Sequence, residues 1–165
     1  MLKKVKYYTK EILFFILAMT LLTNAVSLYK SQTLSRKPLR IENFPLLTHQ
    51  KYTLKNNKPV LIHFWAIWCP TCKLEAPNIE FLSKHYEVLT IIVQSGNNET
   101  IEKYLSENGY TFPVVNDKNG TLAATFGVFA FPTTFIYDKT KELRFSEVGY
   151  TSTLGLYLTM LWAGK

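Results

Sequence analysis

An apolar run from Val60 to Ala66, broken only by His63, leads directly into Trp68-Cys69-Pro70-Thr71-Cys72. The run has the composition of a strand buried on both faces, and Pro59 bounds it. Proline suits the first turn of a helix, so Pro70 predicts a helix that starts there and runs to about Tyr86. Pro77 falls inside it and is expected to kink it, because proline removes a backbone donor and crowds the preceding turn. A buried strand that passes its chain to a helix at two cysteines calls for an α/β fold.

The rest of the chain fits that class. Lys51–Leu54 reads as a short strand and Asn56-Asn57-Lys58 as a turn. Val88–Val93 is a second buried strand. Asn98–Asn108 is a helix, capped by Asn97 or Asn98 and ended by Gly109. Phe112–Val115 is a short strand, and Thr121–Phe126 a short helix stopped by Gly127. Thr133–Tyr137 and Leu143–Val148 are strands joined by a turn at Asp138–Lys141, and a last helix covers about Ser152 to Trp162. This order predicts a mixed sheet with helices on both faces.

Cys69 and Cys72 are the only two cysteines among 165 residues, and three uses compete for them. Zinc needs about four ligands. Only His49, His63 and His85 remain as soft donors, and they are scattered, so no metal is expected. A purely structural staple closes too small a loop to remove much chain entropy. Disulfide exchange has a mechanism. At a helix start, Cys69 meets unpaired amides and the positive end of the helix dipole, which stabilise a thiolate. Cys72, one turn in, is placed to attack a mixed disulfide on Cys69. The pattern expected is an exposed nucleophile and a shielded resolver.

FWAIWCPTC resembles the active-site segment of the thioredoxin superfamily, especially the membrane-anchored TlpA-, ResA- and DsbE-like bacterial proteins. The resemblance covers about Phe44 to the C-terminus. It rests also on Trp68 before the first cysteine, on Pro77 in the helix, and on Phe131-Pro132-Thr133-Thr134-Phe135. It implies a thioredoxin fold, a redox disulfide between Cys69 and Cys72, and a cis peptide bond before Pro132. Trp68, Phe131 and Pro132 would then border the substrate, with Phe131 turning backbone polar groups outward. The implied activity is a protein thiol–disulfide oxidoreductase needing no cofactor, more readily a reductase than an oxidase. A membrane electron donor of the DsbD/CcdA type would recharge it. Cys-Pro-Thr-Cys, Val93–Gly96 and Glu147–Thr151 look most like the ScsD branch, tied to copper tolerance, beside relatives that serve cytochrome c biogenesis. A thioredoxin-fold copper-handling protein and a disulfide-forming oxidase remain alternatives.

Two positions depart from thioredoxin proper. His63 replaces a buried acid, and a histidine there is a candidate proton shuttle for Cys72. The preferred reading is plainer: a core imidazole satisfied by one hydrogen bond. Pro70-Thr71 replaces Gly-Pro, which leaves the potential and the direction of electron flow open. Glu75 and Lys73 read as solvated surface residues, Trp65 as packing and Trp68 as rim.

The net charge of +7 belongs to the N-terminus: residues 1–40 hold eight basic groups against Glu11 alone, and residues 41–165 balance. No basic face for nucleic acid is therefore expected. Ile12–Leu28 carries no charge, four lysines precede it, and Tyr7, Tyr8 and Tyr29 flank it. That predicts a transmembrane anchor over 12–28, a cytoplasmic tail over 1–11, a tether over 29–43 and a thioredoxin-like domain over 44–165. The protein would be single-pass in a bacterial inner membrane, with its catalytic domain in the periplasm or an equivalent outside space. A signal sequence cleaved after Thr23-Asn24-Ala25 is the alternative.

Overall fold

The computed structural model describes residues 10–22, 34, 37–41, 43–48 and 50–165. It divides into two units, Met1–Gln32 and Thr33–Lys165. In the first, residues 10–22 are helical (α1) and their side chains are exposed. The expected anchor is thus described only over residues 12–22; residues 23–28, with Tyr7, Tyr8 and Tyr29, lie outside the described residues. Among the described residues, no helix is long and apolar enough to cross a membrane.

The second unit opens with a two-stranded antiparallel ribbon, β1 (Asn43–Pro45) with β2 (Lys51–Thr53). Strand β1 was not legible: three residues ending in proline show no alternation. The span expected as a free tether, 29–43, is partly built into the domain. Leu34 and Leu39 are buried, the Leu39 amide donates to the Lys141 carbonyl at 2.9 Å, and Asn43 already belongs to β1. Apolar side chains in an otherwise polar stretch were enough to dock it.

The main sheet has five strands in the order β5-β4-β3-β6-β7. At its centre is β3 (Val60–Trp65), entirely buried, parallel to β4 (Glu87–Val93), which is parallel in turn to β5 (Val114–Asp117). On the other side β6 (Thr133–Tyr137) and β7 (Leu143–Val148) run antiparallel. The mixed sheet expected from the sequence is the one observed. Helix α2 (Pro70–Ser83) follows β3 and is continuous through Pro77. It ends three residues before the expected Tyr86. Helix α3 (Asn98–Asn108) has its cap at Asn97, whose side chain accepts from the Thr100 amide, and its stop at Gly109. Gly109 has φ +68°, a left-handed conformation that glycine reaches without a Cβ penalty. Helices α4 (Thr121–Thr125) and α5 (Thr153–Ala163) complete the layers, α5 capped by the Ser152 hydroxyl.

Strand alternation sorts the core into two sides. Leu61 and Trp65 of β3 pack with Ile79 and Leu82 of α2, Ile101 of α3 and Leu156 and Met160 of α5. Val60, Ile62 and Phe64 pack the other way, with Leu34, Leu39, Phe44 and Phe126. Both cysteines lie on the first side. By the same alternation, so does His63.

Candidate active site at the start of helix α2

Cys69 is the N-cap of α2, with an extended backbone, and Pro70 occupies the first turn. The Cys69 Sγ accepts from the Cys72 amide at 3.1 Å, so one of the orphan donors of the helix start points at this sulfur. A thiolate in that place would receive the same hydrogen bond and the positive end of the dipole. Cys69 and Cys72 are joined as a disulfide, with Cα atoms 5.3 Å apart. Both are shielded, Cys69 at 5% and Cys72 at 0% relative exposure. The asymmetry expected between an open nucleophile and a closed resolver is therefore small in the oxidised form, and only the Cys69 edge reaches solvent.

Phe131–Pro132 is a cis peptide bond, and Pro132 is buried with its carbonyl accepting from the Gly149 amide at 2.8 Å. Trp68 is 58% exposed, as a rim residue should be, and its ring meets Phe131 edge to face at 5.7 Å. Trp65 is fully packed. Trp68, Phe131 and Pro132 are thus linked: the cis-proline loop and the residue before Cys69 share one ring contact. Among the described residues, no group of three or more His, Cys, Asp or Glu side chains could hold a metal ion.

His63 sits at the centre of β3 opposite Thr134 of β6, and its Nδ1 is 2.9 Å from the Thr134 hydroxyl. Complete burial pushes the imidazole down to about 3. The near-neutral titration expected of a shuttle is absent, because the strand buries the ring with no charge to offset desolvation. A base this weak lies roughly five units below an ordinary thiol.

Glu75 is the residue that sequence reasoning misplaced. It is 0% exposed, whereas a glutamate on this helix read as solvated. Its Oε1 accepts from the Thr151 amide at 3.2 Å, and its Oε2 is buried without a hydrogen-bond partner. Burial raises its pKa to about 8, the Thr151 amide working against that rise. Residues three apart share a helix face, and Glu75 stands one turn beyond Cys72 on the inward face. The spacing 72, 75, 76, 79, 82 of the buried positions in α2 was the available signal. Beside it, Asn78 donates to the Thr151 carbonyl at 3.1 Å and accepts from the Thr153 hydroxyl at 2.7 Å, so α2 is tied both to the loop after β7 and to the first residue of α5.

The model of the AhpC/TSA family matches residues 41–146, a span that contains Trp68, both cysteines, Glu75 and the Phe131–Pro132 bond. The chain belongs to that family. A thioredoxin-like protein of Haemophilus influenzae is 36% identical over 112 residues, covering 67% of this chain and 66% of the relative. The chain thus spans just under two thirds of that relative's length. The thiol-disulfide oxidoreductase ResA of Bacillus thuringiensis is 30% identical over 143 residues, covering 78% of this chain and 83% of the relative. Among solved structures, StoA from Bacillus subtilis superposes with a TM-score of 0.65 at 22% identity, covering 78% of this chain and 98% of that one. Within the AhpC/TSA family the sequence likeness is to ResA, and the superposition on StoA shows that the thioredoxin fold expected from the cysteine segment is the fold observed.

Proposed function

We propose that this protein is a thiol–disulfide oxidoreductase that acts on protein substrates through Cys69 and Cys72. The single observation that carries the reading is the Cys69 sulfur at the N-cap of α2, receiving the Cys72 amide. In the reducing direction, the Cys69 thiolate attacks a substrate disulfide, forming a mixed disulfide and releasing one substrate thiolate. Cys72, deprotonated, attacks the Cys69 sulfur, re-forms the internal disulfide and releases the second substrate thiolate. Two electrons and two protons pass to the substrate. Glu75 is the group that takes the Cys72 proton, since a carboxyl near 8 is matched to a thiol while an imidazole near 3 is not. The likeness to ResA supports the reducing direction proposed here, with a membrane dithiol carrier of the DsbD/CcdA type restoring the thiols.

Trapping tests the order of attack. Cys72→Ser should accumulate mixed disulfides with substrate proteins, visible on non-reducing gels, and Cys69→Ser should not. Equal trapping by both variants would contradict the assignment.

The reading includes an uncleaved anchor over residues 12–28 with the domain outside the cytoplasm. Its support is the uncharged segment behind four lysines. Intact-mass measurement on the membrane fraction should return the full chain. A soluble species beginning near Val26 would show that the segment is a removed signal.

A further inference from the structure

We propose that Ser95 and Gln94 are positioning residues for the nucleophile, a two-point brace between the end of β4 and the turn that carries Trp68 and Cys69. The inference rests on the thiol–disulfide reading above. The Ser95 hydroxyl accepts from the Ile67 amide at 3.1 Å and donates to the Val93 carbonyl at 2.9 Å. A serine hydroxyl has one proton to give, and here it is given while an acceptor site is also filled. Ser95 itself is buried. The next strut is backbone. The Gln94 carbonyl accepts from the Trp68 indole Nε1 at 3.1 Å, and the Gln94 amide donates to the Asp117 carbonyl at 3.2 Å.

Gln94 holds φ at +46°, in the left-handed region. A non-glycine residue stays there only when its surroundings require it, and such outliers concentrate at working sites. The requirement is visible. The left-handed turn presents the Gln94 carbonyl to the indole and, one residue on, brings the Ser95 side chain to the Ile67 amide. Each strut fixes a different part of one short turn. Ser95 holds Ile67, two residues before Cys69, in a turn that the Cys69 amide closes onto the Ala66 carbonyl at 3.2 Å. Gln94 holds the indole against Phe131, beside the cis-proline. Without the brace, the N-cap sulfur and the Trp68 wall would move together, and misplacement of a reacting atom by about 1 Å can cost up to about a hundredfold in rate.

The decisive comparison is Ser95→Thr against Ser95→Val in the full chain, because the two side chains share a shape and differ in the hydroxyl. Two readouts apply. In the reduced protein, the pH midpoint of Cys69 alkylation should rise by about one unit in Ser95→Val and stay at the wild-type value in Ser95→Thr. In dithiothreitol-driven reduction of a disulfide peptide, kcat/KM should fall about tenfold in Ser95→Val, mostly through KM, and recover in Ser95→Thr. Circular dichroism melting establishes that each variant is folded. If Ser95→Val is not, Ser95→Ala takes its place in the same comparison. Matching alkylation midpoints and matching kcat/KM in folded Val (or Ala) and Thr variants would overturn the brace. A wild-type chain that reduces no disulfide at all would overturn the proposed function instead, while the alkylation midpoints would still decide on Ser95.

Discussion

Glu75→Gln should slow the resolving attack of Cys72 by about a hundredfold or more, the usual range for losing a positioned acid–base group. The amide keeps the shape and can still accept from the Thr151 amide, which bonds Oε1 at 3.2 Å in the wild type, so the change isolates ionisation. In the wild type the rate should climb as pH rises through about 8, where Glu75 loses its proton. The variant should lack that inflection. Attack by Cys69 depends on the helix start and should change little. Stopped-flow separation of mixed-disulfide formation from its resolution distinguishes the two steps, and wild-type resolution in Glu75→Gln would refute the role.

The same group has a signature in stability. Its folded pKa, about 8, lies above the unfolded value of about 4.5. Between those values the folded state holds a proton that the unfolded state has released, so stability falls as pH rises through that window. Glu75→Gln should abolish the loss and be more stable above pH 8, by roughly 4–5 kcal/mol relative to the difference seen near pH 4.

His63 predicts the opposite slope. Its folded value is about 3 against 6.5 for the free group. Between them the unfolded state binds the extra proton, so stability is fully present above about 6.5 and drains away as pH falls toward 3. The shift amounts to roughly 4–5 kcal/mol, a large share of the roughly 5–15 kcal/mol that holds a domain together. In His63→Asn, urea midpoints should lose much less between pH 6.5 and 4 than in the wild type, whatever the two start from at pH 7. Parallel loss in both proteins would mean that the imidazole does not resist protonation, and would reopen it as a shuttle.

Much of this was legible from residue pattern alone. Strands β3 and β4 announce themselves as apolar runs and β7 as an alternation of apolar and polar residues, while Asn97 and Gly109 carry their own signals as helix cap and stop. Cys69 and Cys72 stand out by their spacing at a helix start, and Pro132 joined them only through the resemblance to the thioredoxin superfamily. The misses share a cause. Glu75 and the 94–96 turn owe their roles to partners far along the chain, the Thr151 amide for one and Ile67 and Trp68 for the other. Helical spacing alone could have put Glu75 inward, but the habit of charged side chains toward water argued louder. The bond from Trp68 to the Gln94 carbonyl depends on a single φ value that no composition encodes. Leu34 and Leu39 were lost for a similar reason: two isolated leucines in a polar stretch show no period.

In the proposed reaction the two cysteines pass an electron pair to a protein disulfide. Its most direct test mixes the reduced full chain with one equivalent of a disulfide-bonded protein under anaerobic conditions, with thiols counted by mass after acid quench. Each substrate disulfide lost should be matched by one Cys69–Cys72 disulfide gained, with no reaction in Cys69→Ser. Substrate that stays oxidised beside free Cys69 and Cys72 thiols, in either direction of mixing, would contradict it.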